Sequence, residues 1–386
     1  MQIPAQIEYF LQKLRAAGYE GYLVGGCVRD FLLGKRPHDF DITTGALPEE
    51  TMEVFAEDRV IPTGLKHGTV TVLHDGVAAE ITTFRTETTY ADGRHPDSVS
   101  FTRSLTEDLC RRDFTVNAMA MDADGGIVDL YGGREDLAAG VIRAVGDPTV
   151  RFTEDALRIL RAFRFASKLD FVIEPQTLSA AIRLSPRLSL VSRERIFEEL
   201  DKLLCGKSAG RVLQKMLLGG VFDHVFEAPA LNTDALRFID DLVPRANLRL
   251  SALLLGDAAF EKHLASLKPS NDFAEQVRRT LCCRLPETEE LPALRRTLYR
   301  YGIEPTLDRT LIEQRHALYR TFVQLLEDEN CFWIRDLAVT GKDVMEHTDR
   351  RGKAVGEALE EVLFAVFDKK IPNTREAELE YLSAMR

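Results

Sequence analysis

Residues 23–44, LVGGCVRDFLLGKRPHDFDITT, decide how this chain is read. The segment opens as a short apolar strand, Gly21-Tyr22-Leu23-Val24, that ends in Gly25 and Gly26. Val28, Phe31 and Leu32 then recur on one helical face, and Gly34 stops that helix. HDFDITT, residues 38–44, reads as a second strand. Residues two apart in a strand share a face, so Asp39 and Asp41 would project together while Phe40 and Ile42 turn toward the core. Two carboxylates held that close resist joint ionisation. A divalent cation removes the conflict, and Mg²⁺ favours such oxygen ligands combined with substrate phosphates. Metals bound this way activate a hydroxyl and stabilise a departing pyrophosphate.

An isolated Asp-x-Asp is most often a solvated turn. This one follows the Gly25-Gly26 pair by 13 residues. A strand-to-helix junction offers free backbone N–H groups and close approach for a phosphate, so Gly25 and Gly26 are candidate phosphate-binding residues. Arg29, one turn into the helix, adds a positive charge. Taken alone, the glycine pair would be only a tight turn. Glu80, in AAEITTF at residues 78–84, is a possible third carboxylate. It either points at the metals, if its strand neighbours the Asp-x-Asp strand, or is an exposed strand carboxylate; register decides.

Outward from this segment, about the first 145 residues read as an α+β domain with about five strands. HGTVTVL and VAAEITTF flank Asp75-Gly76, a two-residue hairpin signal. VNAMAMD and GIVDL add two strands around Gly125-Gly126. Beyond Pro148 the apolar residues recur at helical period, as in EDALRILRAFRFASKL (154–169) and SRERIFEELDKLL (192–204), and the rest of the chain reads as all-helical. Trp333 reads as a core residue.

The 386 residues suggest two or three domains. The net charge of -11, from 50 basic and 61 acidic residues, argues against a protein that coats RNA with positive charge. A local basic strip would still suffice to hold phosphates. Six cysteines without CxxC or zinc-type spacing read as reduced thiols of a cytoplasmic protein. Ile7, Phe10, Leu11 and Leu14 make the N-terminus an amphipathic helix rather than a signal peptide, and no run approaches the ~20 apolar residues of a membrane span.

Five blocks in order closely resemble the class II tRNA nucleotidyltransferase and bacterial poly(A) polymerase family: residues 23–44, RRDFTVNAMA, VDLYGGREDL, RFTEDALRILRAFRFA and SRERIFEELDKLL. LAVTGKDVMEH, residues 337–347, is similar to the tail segment of the family's bacterial CCA-adding members. The resemblance implies a nucleotidyltransferase head with a mixed sheet at 1–145. It implies a helical neck with base recognition at 146–205, a helical RNA-binding body at 206–330 and a tRNA-binding tail at 331–386. Asp39 and Asp41 would hold catalytic Mg²⁺. Arg111, Arg112, Asp113 and Asn117 would bind the ribose and triphosphate of the incoming nucleotide. Glu154, Asp155 and Arg158 correspond to the block that selects the base without a nucleic-acid template, and Asp155 and Arg158, three apart, would share a helix face. A carboxylate accepts from the exocyclic amine of cytosine or adenine while a guanidinium donates to the adjacent ring nitrogen. Uracil and guanine present a carbonyl where the amine should be and are rejected. Glu154 and Arg161 would brace the pair from the same helix. Arg164 and Lys168 belong to a local basic strip, some of which would meet RNA or triphosphate. Arg193 and Arg195 are implied to support the neck, with no chemistry assigned.

Family members that stop after CC lack part of a loop that here, at residues 83–104, reads as complete, with turn signals at Asp92-Gly93 and Pro96. Poly(A) polymerases of this type carry extra basic segments. The resemblance therefore implies addition of C, C and A to the tRNA 3′ end from CTP and ATP, with pyrophosphate release. An A-only or CC-only enzyme, a poly(A) polymerase and a non-catalytic RNA-binding protein on the same scaffold are the alternatives. Oligomeric state is not legible in the sequence.

Overall fold

The computed structural model describes residues 3–37, 39–87, 99–226 and 230–385. Its strands are β1 (Gly21–Val24), β2 (Asp41–Thr44), β3 (Arg59–Gly64), β4 (Thr69–His74), β5 (Val77–Thr83), β6 (Arg85–Glu87), β7 (Val99–Phe101), β8 (Met119–Met121), β9 (Ile127–Asp129), β10 (Val141–Ile142) and β11 (Val172–Ile173). Seven of them form one mixed sheet in the order β3-β4-β5-β2-β1-β8-β9. β2 and β5 run parallel, whereas the other neighbours in this sheet are antiparallel. Asp75 and Gly76 both take positive φ, 46° and 78°, which is the type I′ geometry that fits the twist of β4 and β5. Helix α1 (Ala5–Ala16) buries Ile7, Phe10, Leu11 and Leu14, the four residues of its apolar stripe.

The sheet has more strands than the apolar alternation shows. β3 carries Pro62, which reads as a strand breaker, and its pairing with β4 shifts between Ile61 and Gly64. It stands at the sheet edge, where a missing N–H costs little. β2 begins only at Asp41, so Asp39 precedes the strand instead of sharing its face. β6 and β7 form a separate ribbon.

Helices follow as α2 (Gly26–Leu32), α3 (Pro48–Val54), α4 (Leu105–Cys110), α5 (Gly133–Ala139), α6 (Pro148–Glu154), α7 (Leu157–Leu169), α8 (Pro175–Leu184) and α9 (Arg193–Leu204). The expected single helix through Glu154, Asp155 and Arg158 is in fact two. Asp155 leaves helical geometry at φ −134°, ψ 107°, and its Oδ1 accepts from Leu157 N at 2.9 Å. An aspartate that bonds the next free N–H starts a new helix more readily than it continues the old one. Apart from the short β11, which pairs in parallel with β10, no strand lies beyond Pro148 among the described residues.

The chain divides into a unit of Met1–Pro229 with Ser266–Lys268 and a unit of Ala230–Ala265 with Pro269–Arg386. The second is helical throughout its described residues. One of its cores is built on Leu294, Leu298, Leu318 and Phe322, with Trp333 packed against it; another on Val344, Val362, Leu363 and Phe367. No described helix is long and apolar enough to cross a membrane.

The helix Gly341–His347 opens on a capping box. Asp343 Oδ2 accepts from Thr340 N and Oγ1, both at 2.8 Å, and the carboxylate also pairs with Arg375. The Arg375 hydrogen bond, then those from Thr340, lower Asp343 from 3.8 to about 2. A carboxylate depressed in the folded state stabilises it fully above the ordinary value and loses that effect as the pH falls through the folded one. Asp343→Ala should cost about 0.5–2 kcal/mol at neutral pH, since it removes the cap acceptor of Thr340 and the partner of a largely exposed Arg375. In urea titrations the gap between wild type and variant should close between pH 3.8 and about 2. A gap constant across that window would contradict the assignment.

Candidate functional site

The site begins where β1 stops. Gly25 adopts φ 73°, ψ −129°, a conformation closed to ordinary L-residues, and turns the chain into α2. A Cβ there would lie 3.3 Å from Arg112 Nη1 and 3.9 Å from Asp41 Oδ2, so bare backbone sits between a cation and a carboxylate. Arg29, almost fully buried, donates from Nη1 to Asn117 Oδ1 at 2.7 Å and pairs with Asp30. Asn117 Nδ2 donates in turn to Asp113 Oδ1 at 3.1 Å, and Arg161 Nε reaches Asp113 Oδ2 at 2.8 Å. Burial pushes Asp113 up, but the Arg161 charge and the hydrogen bonds from Asn117 and Arg161 outweigh it and hold the carboxyl below its ordinary value.

Asp41 stands at the head of β2, and Glu80 is its register partner on the parallel strand β5. Paired residues of neighbouring strands share a face, so Glu80 lies beside Asp41. Although Asp41 opens into a cavity, the surrounding wall displaces enough water to raise its carboxyl. Glu80 adds to the rise, Arg112 opposes it, and Asp39 adds the smallest share. Three carboxylates thus bear on one point with too little cationic compensation. No three His, Cys, Asp or Glu side chains among the described residues form a ready-made metal cage. The donor set suits a cation that completes its shell with phosphate oxygens and water, as Mg²⁺ does.

Asp108 on α4 is fully buried and bonds both Arg111 (2.6 Å) and Arg112 (3.1 Å). Burial raises it, and the charges of Arg111 and Arg112 more than reverse that. Asp155, at the break between α6 and α7, spends one oxygen on Leu157 N and the other on Arg195 Nη2 of α9 at 3.1 Å. Arg158 is held by Glu154 at 2.5 Å and by the carbonyl of Arg111 at 3.0 Å. Arg161 braces Asp113 rather than the Asp155/Arg158 pair, contrary to its expected place. Arg164 pairs with buried Glu199 at 2.6 Å and stacks on Phe165, its guanidinium carbon 3.9 Å from the ring centre; Arg29 and Arg161 approach the same ring at 5.3 and 5.4 Å.

These residues enclose a cavity of about 460 Å³, within the size range of small-molecule sites. Gly25, Gly26, Arg29, Asp41, Arg111, Arg112, Asp113, Asn117, Asp155, Arg158 and Arg161 all line it. Asp39, Glu80 and Glu154 do not: the first precedes β2, the second sits beside Asp41, and the third backs Arg158. The wall also contains Leu157, Arg164, Phe165, Lys168 and Arg195. Arg195 was expected only to support the neck. Asp108 and Glu199 behind the wall were not singled out by sequence. Asp108 was within reach, because it stands three and four residues before Arg111 and Arg112 on a helical stretch.

Eight cations and three carboxylates line this space in a chain whose net charge is negative. Burial lowers Arg164 from its ordinary value despite Glu199, and Arg161 and Arg29 push it the same way. Lys168 is likewise lowered by burial and by Arg29. A wall with more cations than carboxylates suits an anionic ligand such as a polyphosphate.

Residues 21–143 match the poly(A) polymerase head domain, 170–234 an RNA- and SrmB-binding site of polymerase A, and 248–382 tRNA nucleotidyltransferase domain 2. The chain is 40% identical to the CCA-adding enzyme of Streptococcus pneumoniae, over 99% of this chain and 98% of the relative. It is 36% identical to that of Limosilactobacillus reuteri, over 98% and 97%. The chain belongs to the class II tRNA nucleotidyltransferase and poly(A) polymerase family. Among solved members of this nucleotidyltransferase family, the Bacillus stearothermophilus CCA-adding enzyme in complex with CTP aligns with a TM-score of 0.85 at 35% identity, covering 100% of this chain and 98% of that one. The Thermotoga maritima enzyme complexed with tRNA, at 23% identity and a TM-score of 0.71 over 100% and 96%, shares the fold. The expected loop that separates CC-adding members falls largely on residues 88–98, outside the described residues.

Gly25→Ala should place a methyl group against Arg112 and strain the turn by about 1–2 kcal/mol. Pyrophosphate affinity, measured by titration calorimetry, should fall about tenfold or more while the unfolding temperature moves by only a few degrees. Unchanged pyrophosphate affinity would show that the Gly25 turn does not border the anion seat.

Proposed function

We propose that the protein adds C, C and A to the 3′ end of tRNA from CTP and ATP, releasing pyrophosphate at each step. The observation that carries this reading is the joining, in one cavity, of a wall of eight cations with Asp41 and with the pair Asp155 and Arg158. The first part suits a triphosphate, the second a reacting phosphorus, the third a base edge. The domain reading follows: a catalytic head at 1–145, a base-selecting neck at 146–205, and a body and tail at 206–330 and 331–386 that engage tRNA by shape rather than sequence. The site of action is the cytoplasm, in keeping with six free cysteines.

Arg29, Arg111, Arg112 and Arg161 hold the triphosphate, and Asp113 and Asn117 meet the ribose. The RNA 3′ oxygen attacks the α-phosphorus in line, the bond to the β-phosphate oxygen breaks, and the hydroxyl proton passes to solvent. Asp39 and Asp41 would hold Mg²⁺, with Glu80 supporting them through its charge. When bound, the metal lowers the pKa of the 3′ hydroxyl and offsets charge on the leaving pyrophosphate. The chain contributes position and charge compensation, which dominate phosphoryl transfer. Asp155 accepts from the amine of cytosine or adenine and Arg158 donates to the neighbouring ring nitrogen. Glu154 and the Arg111 carbonyl keep the Arg158 guanidinium in one orientation.

Incubation with tRNA lacking its terminal CCA, Mg²⁺, and each nucleotide singly and together, followed by sequencing of product ends, tests the reading directly. The expected product is complete CCA; A alone, CC alone or a poly(A) run would replace it with the corresponding activity. Asp39→Asn and Asp41→Asn should each lose more than about a thousandfold in rate. Asp155→Ala should raise UTP incorporation relative to CTP by about tenfold or more. Retained selectivity would refute the base assignment, and full activity in both aspartate variants would refute the chemistry.

A further inference from the structure

We propose that Asp108 is a positioning residue for the nucleotide site: it clamps Arg111 and Arg112 side by side so that their guanidiniums face the triphosphate. The inference rests on the reading of the cavity as a nucleoside triphosphate seat. Two adjacent arginines in a partly desolvated wall repel each other and turn apart unless one anion serves both. Asp108 does this from full burial. Its Oδ1 accepts from Arg111 Nε at 3.1 Å and Nη2 at 2.6 Å, and its Oδ2 from Arg112 Nη2 at 3.1 Å. The same carboxylate is fastened to the sheet, with Thr43 Oγ1 of β2 at 3.4 Å from Oδ2 and the backbone N of Arg85 at 3.4 Å from Oδ1. Arg111 is fixed further by the carbonyl of Arg85, to which its Nε donates at 3.1 Å. The strand that carries Asp41 is thereby tied to the arginines that face it.

The clamp also settles a competition. Arg112 Nη1 and Asp41 Oδ2 both lie within 4 Å of the point where a Gly25 Cβ would stand. Only the bare backbone of Gly25 stands between that guanidinium and that carboxylate. Released from Asp108, Arg112 closes on Asp41, and one motion removes a phosphate ligand and blocks a carboxylate. Asp108 touches neither substrate nor reacting atoms, so its effect runs through Arg111 and Arg112.

The test is calorimetric titration of the full-length protein in Mg²⁺ buffer with CTP and, separately, with CMP, which lacks the β- and γ-phosphates. Asp108→Asn keeps the shape and removes the charge. CTP affinity should fall about tenfold or more while CMP affinity changes less than about twofold. Asp108→Glu, which keeps the charge one methylene further out, should lose less CTP affinity than the asparagine variant and also spare CMP. It provides the reading if Asp108→Asn does not fold. Equal loss for CTP and CMP, or unchanged CTP binding in a folded variant, would overturn the inference. Arg112→Ala separates the two levels of the argument. If that variant binds CTP like wild type, the triphosphate seat itself is misplaced. If it loses CTP while Asp108→Asn does not, only the role of Asp108 fails.

Discussion

Eight cationic side chains line a space of about 460 Å³, and carboxylates hold several of them in place. Asp108 takes Arg111 and Arg112, Asp113 takes Arg161, and Glu199 takes Arg164. Each of these carboxylates is buried; Asp113 also lines the cavity, whereas Asp108 and Glu199 stand behind it. Phe165 adds a ring face to three of the guanidiniums. The result is positive charge held in place by the fold.

Two backbone features give this charge its direction. The positive φ of Gly25 lets the chain pass between Arg112 and Asp41 without a side chain to separate guanidinium from carboxylate. The break at Asp155 aims that side chain differently from one on a continuous helix. Its oxygens are then oriented by the Leu157 N–H and by Arg195 from a helix far along the chain. A carboxylate fixed through both oxygens presents its remaining lone pairs in set directions, as the proposed base-reading role of Asp155 requires.

Much of this was legible in the sequence because it is local. The apolar stripe of α1, the Asp75-Gly76 turn and the strand-GlyGly-helix junction depend on neighbours within a few residues, and they appear as read. The members of the wall came from short motifs, which the fold gathers from five separate elements. What escaped depends on contacts across the chain. β3 hides behind Pro62 because only its place at the sheet edge makes proline harmless there. The α6–α7 break escaped because apolar periodicity continues through it while one capping bond decides the outcome. Arg195 enters the wall through a partner 40 residues away, a distance that spacing rules do not reach. The partners of Arg161 escaped for the same reason: helical spacing placed it near Arg158, but its carboxylate comes from the head.

Asp41, raised by desolvation and by Glu80, would gain from a cation, and a wall of eight cations and three carboxylates would gain from an anion. A nucleotide polyphosphate with its divalent metal meets both requirements together. The most direct measurement is a crystal structure with CTP and Mn²⁺, the ion located by its anomalous signal. The account predicts a peak bridging Asp39 and Asp41 to the phosphates, with the triphosphate along Arg29, Arg111 and Arg112 and cytosine against Asp155 and Arg158. An ion bound away from both aspartates, or phosphates seated outside that wall, would contradict it.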